Sequence, residues 1–446
     1  MYYNITQLRR RLTSHPSRGS APPGYDAPPG RAPQRGQRAG FGLSRQLWIV
    51  QAGIFLNALG WGAVLPFEII SLHSGRGYSL GVAGSVIGVV TGLAVVASPA
   101  AGPLIDRAGA RATAVGGGIA LAAGYAGLAA ASHPWQAFAA ATAAGLGNGA
   151  LQPSQSALLA ALAPPQLRHR VVATSRVATN VGFGVGGGLG GLVAAHGLGG
   201  LIVLFLGNAA TYLVYVIVLA VAVTKEPPAE PMPGGYRRVL RDSRFVWLAG
   251  INVAVIAVGW GYFSWVVPQY ARTDLGISPA PIGLLLLANA FMVAIAQIPV
   301  SRALEGRRRT TAIAISCGIF TGSFLLIAAA SWTRAGPSYA ALLVAAIAIG
   351  IGECFHTTAL MPLVADMAPA ALRGRYMATM SLSWWIGLAL APTVGTRLLA
   401  VSAAVALLPA AGLALSAGVA ALALGRHLPA AISRTPRPMS SRSSRR

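Results

Sequence analysis

From Leu47 onward the chain alternates between long apolar runs and short polar breaks. A helix of about 20 apolar residues crosses a hydrocarbon core of about 30 Å, so each run predicts a membrane-spanning helix. The first six lie at approximately 47–71, 80–104, 112–131, 135–161, 171–195 and 199–223. A break rich in proline and charge follows at 224–244, reading TKEPPAEPMPGGYRRVLRDSR, and neither a span nor a strand tolerates that composition. Six more runs follow at approximately 245–270, 281–303, 310–331, 338–364, 375–400 and 402–424. The expected organisation is a basic tail over 1–46, a six-helix bundle over 47–223, a linker over 224–244, a second bundle over 245–424 and a second basic tail over 425–446.

The two halves repeat one another. Gly145, Gly147, Ala163, Pro164, Leu167, Arg168, Arg170, Ala173, Thr174, Gly182 and Gly190 recur 205 residues later as Gly350, Gly352, Ala368, Pro369, Leu372, Arg373, Arg375, Ala378, Thr379, Gly387 and Gly395. Scattered identities arise by chance in helices rich in Ala and Gly, but a single register kept through a charged loop does not. Parallel six-helix repeats predict a solute site near the membrane midplane, between the halves.

Composition agrees: 54% of residues are hydrophobic and 10% charged. The net charge of +24 is the exception, and on a soluble face it would suggest nucleic acid. Here the basic residues sit in the tails, the linker and alternate loops. If both termini are cytoplasmic, only Arg76, Arg272, Arg334 and Arg397 lie outside, which is the positive-inside bias of a multi-pass membrane protein. No nucleic-acid partner is expected. The first 45 residues hold arginines among Pro, Gly and Ser with no apolar core, so they read as a disordered tail and not as a cleaved signal. Cys317 and Cys354 fall inside apolar runs, with neither disulfide nor metal-ligand spacing.

Between the second and third helices stands AGPLIDRAGAR, with Gly102, Asp106, Arg107, Gly109 and Arg111 spaced as G-x-x-x-D-R-x-G-x-R. On this loop the chain resembles the major facilitator superfamily, in particular its multidrug-resistance, drug:proton antiporter branch. The resemblance spans 47–424. It implies an all-α membrane fold of two pseudo-symmetric six-helix bundles, in which this loop locks the cytoplasmic side in the outward-open state. A carboxylate at a helix C-terminus is disfavoured by the dipole, so Asp106 is expected to seek an arginine or another helix's N-terminus. Gly102 would let that helix approach closely. An ordinary loop whose arginines only set topology explains the charges but not the glycines. The corresponding second-half loop, SRALEGRRR, keeps Glu305 and basic charge without the pattern.

Helix five reads GFGVGGGLGG, and Gly182, Gly186, Gly190 and Gly191 fit the family's antiporter motif G-x-x-x-G-P-x-x-G-G with Gly187 in place of proline. The aligned stretch of helix eleven holds Gly387, Ala391, Pro392 and Gly395, which supplies that proline. Plain packing of small residues explains both stretches equally well. The formal G-x-G-x-x-G at Gly182, Gly184 and Gly187 has no strand before it and no acidic residue after it, so it is not a nucleotide site.

An ionisable residue inside a bilayer costs several kcal/mol in principle, which makes it a functional candidate. Glu353 lies about 22 Å along helix ten at 1.5 Å per residue, and Asn148 occupies the equivalent repeat position in helix four. Polar neighbours, His356 beside the first and Gln152 beside the second, suggest that both face a water-filled cavity. Protonation of Glu353 would remove a buried charge and couple proton movement to solute movement; a structural hydrogen bond to a neighbour is the competing explanation. Glu68, near the outer end of helix one, reads as a second coupling candidate or as an anchor in contact with water. The cavity lining is expected to include Asn57, Trp61, Asn252, Trp260, Tyr262, Trp384 and Trp385, where aromatic side chains suit flat, greasy or cationic solutes. Interfacial belts use the same residue types. The arginine that many exporters of this family carry in helix four is absent, its neighbourhood being Ala141 and Thr142.

The reading is a secondary transporter working by alternating access, with proton-coupled export of small amphipathic or drug-like solutes as its first form and uptake of a nutrient or metabolite as its second. A non-transporting receptor or a lipid-modifying enzyme comes last, because there is no H-E-x-x-H, G-x-S-x-G or paired-aspartate site and so no catalytic or metal residues to name. No cofactor is expected, the proton gradient serving as the energy source. The sole lysine is Lys225, which excludes a P-loop. The expected partners are a small-molecule solute, protons and the lipid bilayer, with the protein a monomer. Arginine far in excess of lysine, with abundant Ala and Gly, points to a GC-rich bacterium and its plasma (inner) membrane.

Overall fold

The computed structural model describes residues 43–163, 167–223, 236–330, 335–369 and 372–434. Most of the two tails and residues 224–235 of the linker lie outside them, as do the side chains of Asp106, Arg168 and Arg170. The described chain is helical. The first six long helices are α1 (Arg45–Gly75), α2 (Leu80–Ala108), α3 (Ala110–Ala130), α4 (Pro134–Leu162), α5 (Arg168–Ala194) and α6 (Gly197–Ala222). The second six are α7 (Ser243–Thr273), α8 (Pro279–Ala303), α9 (Arg309–Ala330), α10 (Ala335–Met367), α11 (Arg375–Leu399) and α12 (Ala403–His427).

Eleven of these are long and apolar enough to cross a membrane. The twelfth, α4, has 29 residues but carries Asn148, Gln152, Ser154, Gln155 and Ser156 along one stretch, which lowers its hydropathy. The helices start where side chains satisfy free amides. Ser44 accepts from the Leu47 N–H at 3.3 Å, Ser79 from Val82 at 3.3 Å, Asp242 from Phe245 at 3.2 Å and Ser402 from Val405 at 3.1 Å. Proline opens α4 and α8, where its missing N–H is not needed. Gly109, the φ 86° hinge between α2 and α3, has a conformation that side chains disfavour. The turn alone therefore explains that glycine of the loop motif.

Within the N-terminal half, Gly182, Gly186 and Gly190 of α5 lie on the backbone of α1: a Cβ added at Gly182 would meet the Phe55 oxygen at 2.6 Å. Gln51 ties the same pair. It donates to the Val171 carbonyl at 3.0 Å and to Thr174 Oγ1 at 2.9 Å, and accepts from Ser175 Oγ at 3.0 Å. In the C-terminal half Gly387 plays the matching part, a Cβ there meeting the Val253 oxygen of α7 at 2.7 Å. Around Pro392 the helix widens into a π turn over Ala391–Gly395, and α7 does so over Ile256–Val266.

Two stretches expected to be irregular are not. Residues Tyr236–Leu240 of the linker form a short helix, and Asp242 both caps α7 and accepts from the Tyr376 hydroxyl at 2.8 Å. At the other end α12 runs to His427, and Ala430–Ser433 folds back as a helical turn. There the buried Arg309 binds Asp366 at 2.6 Å and the Ile432 carbonyl at 3.0 Å, both through Nη1, a pairing that composition could not reveal.

Candidate functional site

The halves meet tightly at one end and part at the other. At the end away from the termini, α5 crosses α8, where a Cβ on Gly191 would come within 2.9 Å of the Pro279 oxygen and 3.0 Å of the Gly283 Cα. On the opposite side Gly84 and Gly88 of α2 lie directly against Pro392, Thr393 and Thr396 of α11. Along α2 this contact fades: at Gly92 the nearest atom is the Ala389 Cβ at 3.9 Å, and at Gly102 nothing lies within 4 Å. The space between the halves thus opens toward the end that carries the termini. Gly102 was expected to admit a close neighbour; in this conformer it has none, because the halves have already diverged. Arg107 is exposed, and Arg111 donates to the Ala220 carbonyl of α6 in its own half. The partner expected for Asp106 falls outside the described side chains.

The roof of this space is aromatic. Trp61 of α1, Phe183 of α5, Trp260 of α7 and Trp384 of α11 form a chain across the halves, with ring centroids 5.4 Å apart for Trp61–Phe183, 5.1 Å for Phe183–Trp260, 6.0 Å for Trp61–Trp260 and 5.6 Å for Trp260–Trp384. Each ring is half-buried. On the C-terminal side stands Glu353, also half-buried, which accepts from Asn289 Nδ2 at 3.3 Å and has the Trp260 indole as a second donor. Asn289 in turn reaches the Ala346 carbonyl at 3.2 Å. On the N-terminal side a cavity is lined by Asn57, Trp61, Asn148, Gln152, Gln155 and Tyr212, a neutral polar wall. Asn57 Oδ1 is buried there without a partner. Of the repeat positions, Asn148 lines this cavity beside Trp61, and Glu353 stands beside Trp260, which packs on Trp61 from the other half; one is an amide and the other an acid.

Other expected lining residues turn away. Tyr262 is buried against Phe324 at a centroid distance of 5.9 Å, and Trp385 is buried in the core. Residues two apart on a helix point to nearly opposite sides, in the wide turns of α7 as in an α-helix, so Tyr262 faces away from Trp260. Adjacent residues diverge by about 100° in an α-helix, so Trp385 cannot share the face of Trp384. Asn252 and His356 are also inside the C-terminal half: His356 Nε2 lies 3.0 Å from Asn252 Oδ1, while Asn252 Nδ2 donates to Ser383 Oγ at 2.7 Å. That arrangement uses their polar atoms internally, not toward solute.

Glu68 is not an anchor in water. It is 2% exposed, accepting from the Tyr125 hydroxyl of α3 at 2.9 Å and from Trp265 Nε1 of α7 at 2.8 Å. Gly187 and Gly191 face α8, in the other half, while Gly182, Gly186 and Gly190 face α1, so the helix-five glycines serve two interfaces. Sequence reasoning overlooked Phe183, Asn289, Tyr125 and Trp265. Asn289 was accessible to the rule that singled out Glu353, being polar within an apolar run; the three aromatic residues carry no such signal.

Comparison with known proteins places this geometry. The sequence profile described as Major Facilitator Superfamily matches residues 52–267 and 249–445. The chain is 26% identical over 341 residues to the uncharacterized MFS-type transporter YttB of Bacillus subtilis (strain 168), covering 75% of this chain and 83% of that one. It is 28% identical over 347 residues to the multidrug resistance protein MdtH of Salmonella typhimurium (strain LT2), covering 75% and 77%. Among solved structures, a peptide transporter POT in complex with sulfate has a TM-score of 0.73 at 16% identity, covering 89% of this chain and 96% of that one. A D-xylose-proton symporter has a TM-score of 0.69 at 15% identity, covering 87% and 100%. At those identities the solved structures speak for the fold alone.

Proposed function

Because the chain belongs to the Major Facilitator Superfamily and is a multi-pass membrane protein of the secondary-transporter class, we propose that it exports small amphipathic or drug-like solutes in exchange for protons. The observation that carries this reading is the aromatic roof beside a single carboxyl group. Trp61, Phe183, Trp260 and Trp384 offer flat apolar faces to a solute, and Glu353 supplies the negative charge that a cationic centre would neutralise. Proton and cation then compete for one carboxylate, and this competition is what exchange requires. The relatives named as multidrug resistance proteins support the same direction.

With both termini in the cytoplasm of a bacterium, the space open toward the termini makes this conformer inward-open. The Gly102–Arg111 loop is then the lock of the opposite state; in this one Gly102 has no neighbour and Arg107 is exposed. Uptake of a nutrient or metabolite is the second reading, which the fold admits equally, since a D-xylose-proton symporter and a peptide transporter share it.

The test uses inverted membrane vesicles carrying the protein, an imposed proton gradient and a panel of fluorescent cations and drugs. Accumulation that an uncoupler abolishes is expected, and none across the panel sinks the export reading. Glu353→Gln should cut gradient-driven accumulation at least tenfold and weaken cation binding, while an uncharged amphipathic solute still binds within about threefold, the pattern of a lost carboxylate in an intact pocket. Unchanged coupling in that variant takes Glu353 out of the mechanism.

A further inference from the structure

Glu68 lies behind the aromatic roof, its carboxyl buried between the halves. Its carboxyl lies about 10 Å from the closed end of α1, at 1.5 Å per residue. One oxygen accepts from Tyr125 of its own half and the other from Trp265 of the opposite half. An indole N–H is a donor only, so the oxygen facing Trp265 must offer a lone pair. With the carboxyl ionised, both bonds are charge-assisted, the strong kind. A second cross-half bond at this end, from Arg397 Nη2 to Ser85 Oγ at 3.1 Å, is exposed and correspondingly weak.

A polar trail leads from Glu68 to the open side. Tyr125 stacks on Tyr212 at 5.8 Å, and Tyr212 lines the cavity with Asn57. One turn from Tyr212 on α6 is Asn208, 1% exposed, with both side-chain polar atoms unpartnered, and Asn57 Oδ1 is unpartnered as well. Buried polar groups without partners are rare and call for water or an exchanging proton. Asn57 and Asn208 flank this trail, the Trp61 indole gives Tyr125 a second link to the cavity, and Gln269, one turn from Trp265 on α7, is another buried side chain with both polar atoms unpartnered.

We propose that Glu68 is a proton-operated latch: as a carboxylate it holds the two halves together at the end away from the termini, and a proton taken up at that end frees them until it is lost toward the cavity. The proton adds to the oxygen that faces Tyr125. Tyr125 must then turn its hydroxyl hydrogen away and accept, and the Trp265 bond falls from charge-assisted to neutral. Nothing else is consumed; the proton is taken up from the far side while the halves are parted at Trp265, and it leaves toward the cavity as the carboxyl re-forms the latch, the direction that exchange for an exported solute requires. The neighbouring elements hold few competing charges. Beside Glu68, α3 presents Tyr125, α6 presents Tyr212 and α7 presents Trp265, while α2 has no ionisable residue before Asp106. Arg76 is engaged by the Ala129 and Ala131 carbonyls, His73 by the Tyr78 carbonyl at 2.6 Å, and Arg272 is exposed.

The latch bears on direction. An empty, unprotonated carrier stays locked, and either a proton or a bound solute must free it. Obligatory exchange needs that rule, whereas a symporter must return empty and unprotonated. This deepens the exporter reading and rests on it only for the identity of the solute.

The experiment needs no solute. Spin labels at Leu198→Cys in α6 and Val401→Cys after α11, both exposed at the closed end and one in each half, report the separation by pulsed dipolar spectroscopy in lipid nanodiscs at pH 8 and pH 5. The native cysteines are buried and stay in place. A short distance at pH 8 and a longer population at pH 5 are expected. E68Q should show the longer population at both values, with an open-to-closed ratio at pH 8 raised roughly tenfold, the size of a lost charged hydrogen bond. W265F should do the same, while E68D should keep the pH response. Thermal unfolding of each variant separates these effects from misfolding. A wild-type distance that ignores pH, or an E68Q protein that keeps the pH response, overturns the proposal. If the distances behave as expected but vesicles accumulate nothing, the latch stands and the exporter reading falls.

Discussion

The two ends of this bundle are made from the same helices and the same small residues, yet one is interlocked and the other is open. On α2, Gly84 and Gly88 touch α11 while Gly102 touches nothing within 4 Å; on α5, Gly191 is pressed against Gly283 of α8. Glycine content therefore does not decide which end is shut. What distinguishes the closed end is the buried carboxyl that receives donors from both halves. Small residues make close approach possible at either end, and a polar tie selects one.

Substitutions break this comparison in graded ways. The largest effect is expected from Gly191→Leu, whose side chain would run into the α8 backbone. Closure at that end should fail, with transport down at least tenfold and a cysteine nearby becoming open to a membrane-impermeant maleimide. Gly102→Leu is the sharper contrast. It meets nothing in this conformer, so thermal unfolding should stay within about 0.5 kcal/mol of wild type, but transport should drop several-fold if that glycine seats a neighbour in the opposite state. Gln51→Ala, which removes three hydrogen bonds between α1 and α5, should cost about 1–2 kcal/mol in detergent unfolding without favouring either end. Arg397→Ala, at an exposed bond, should change the balance of ends by less than about 0.5 kcal/mol.

The fold was largely legible because a bilayer leaves a helix no freedom: every span must be long and apolar, and the loops between Leu47 and Leu424 fall within a few residues of expectation. Pro134–Leu162 was found although its polar residues take it below the hydropathy of its neighbours, since its length and its repeat partner compensated. Glu353 was legible because a charge in an apolar run is conspicuous. Its meeting with Trp260 and Asn289 was not, because these come from different helices. The latch was hidden for the same reason: Trp265 is 197 residues from Glu68 and looks like any aromatic residue of a membrane helix. Tyr262 and Trp385 were misplaced because proximity in sequence is not a shared face; only angular position on the helix decides which side chain sees the cavity.

The measurement that bears most directly on the whole account follows both ends in one series of samples. The Leu198→Cys/Val401→Cys pair reports the closed end, and a Val177→Cys/Ile298→Cys pair, exposed on the parts of α5 and α8 nearer the termini, reports the open one. Acidification, or addition of a transported cation, should lengthen the first distance and shorten the second together, as alternating access demands. If one distance changes while the other stays fixed, or both change in the same sense, the two ends are not coupled and the account is wrong.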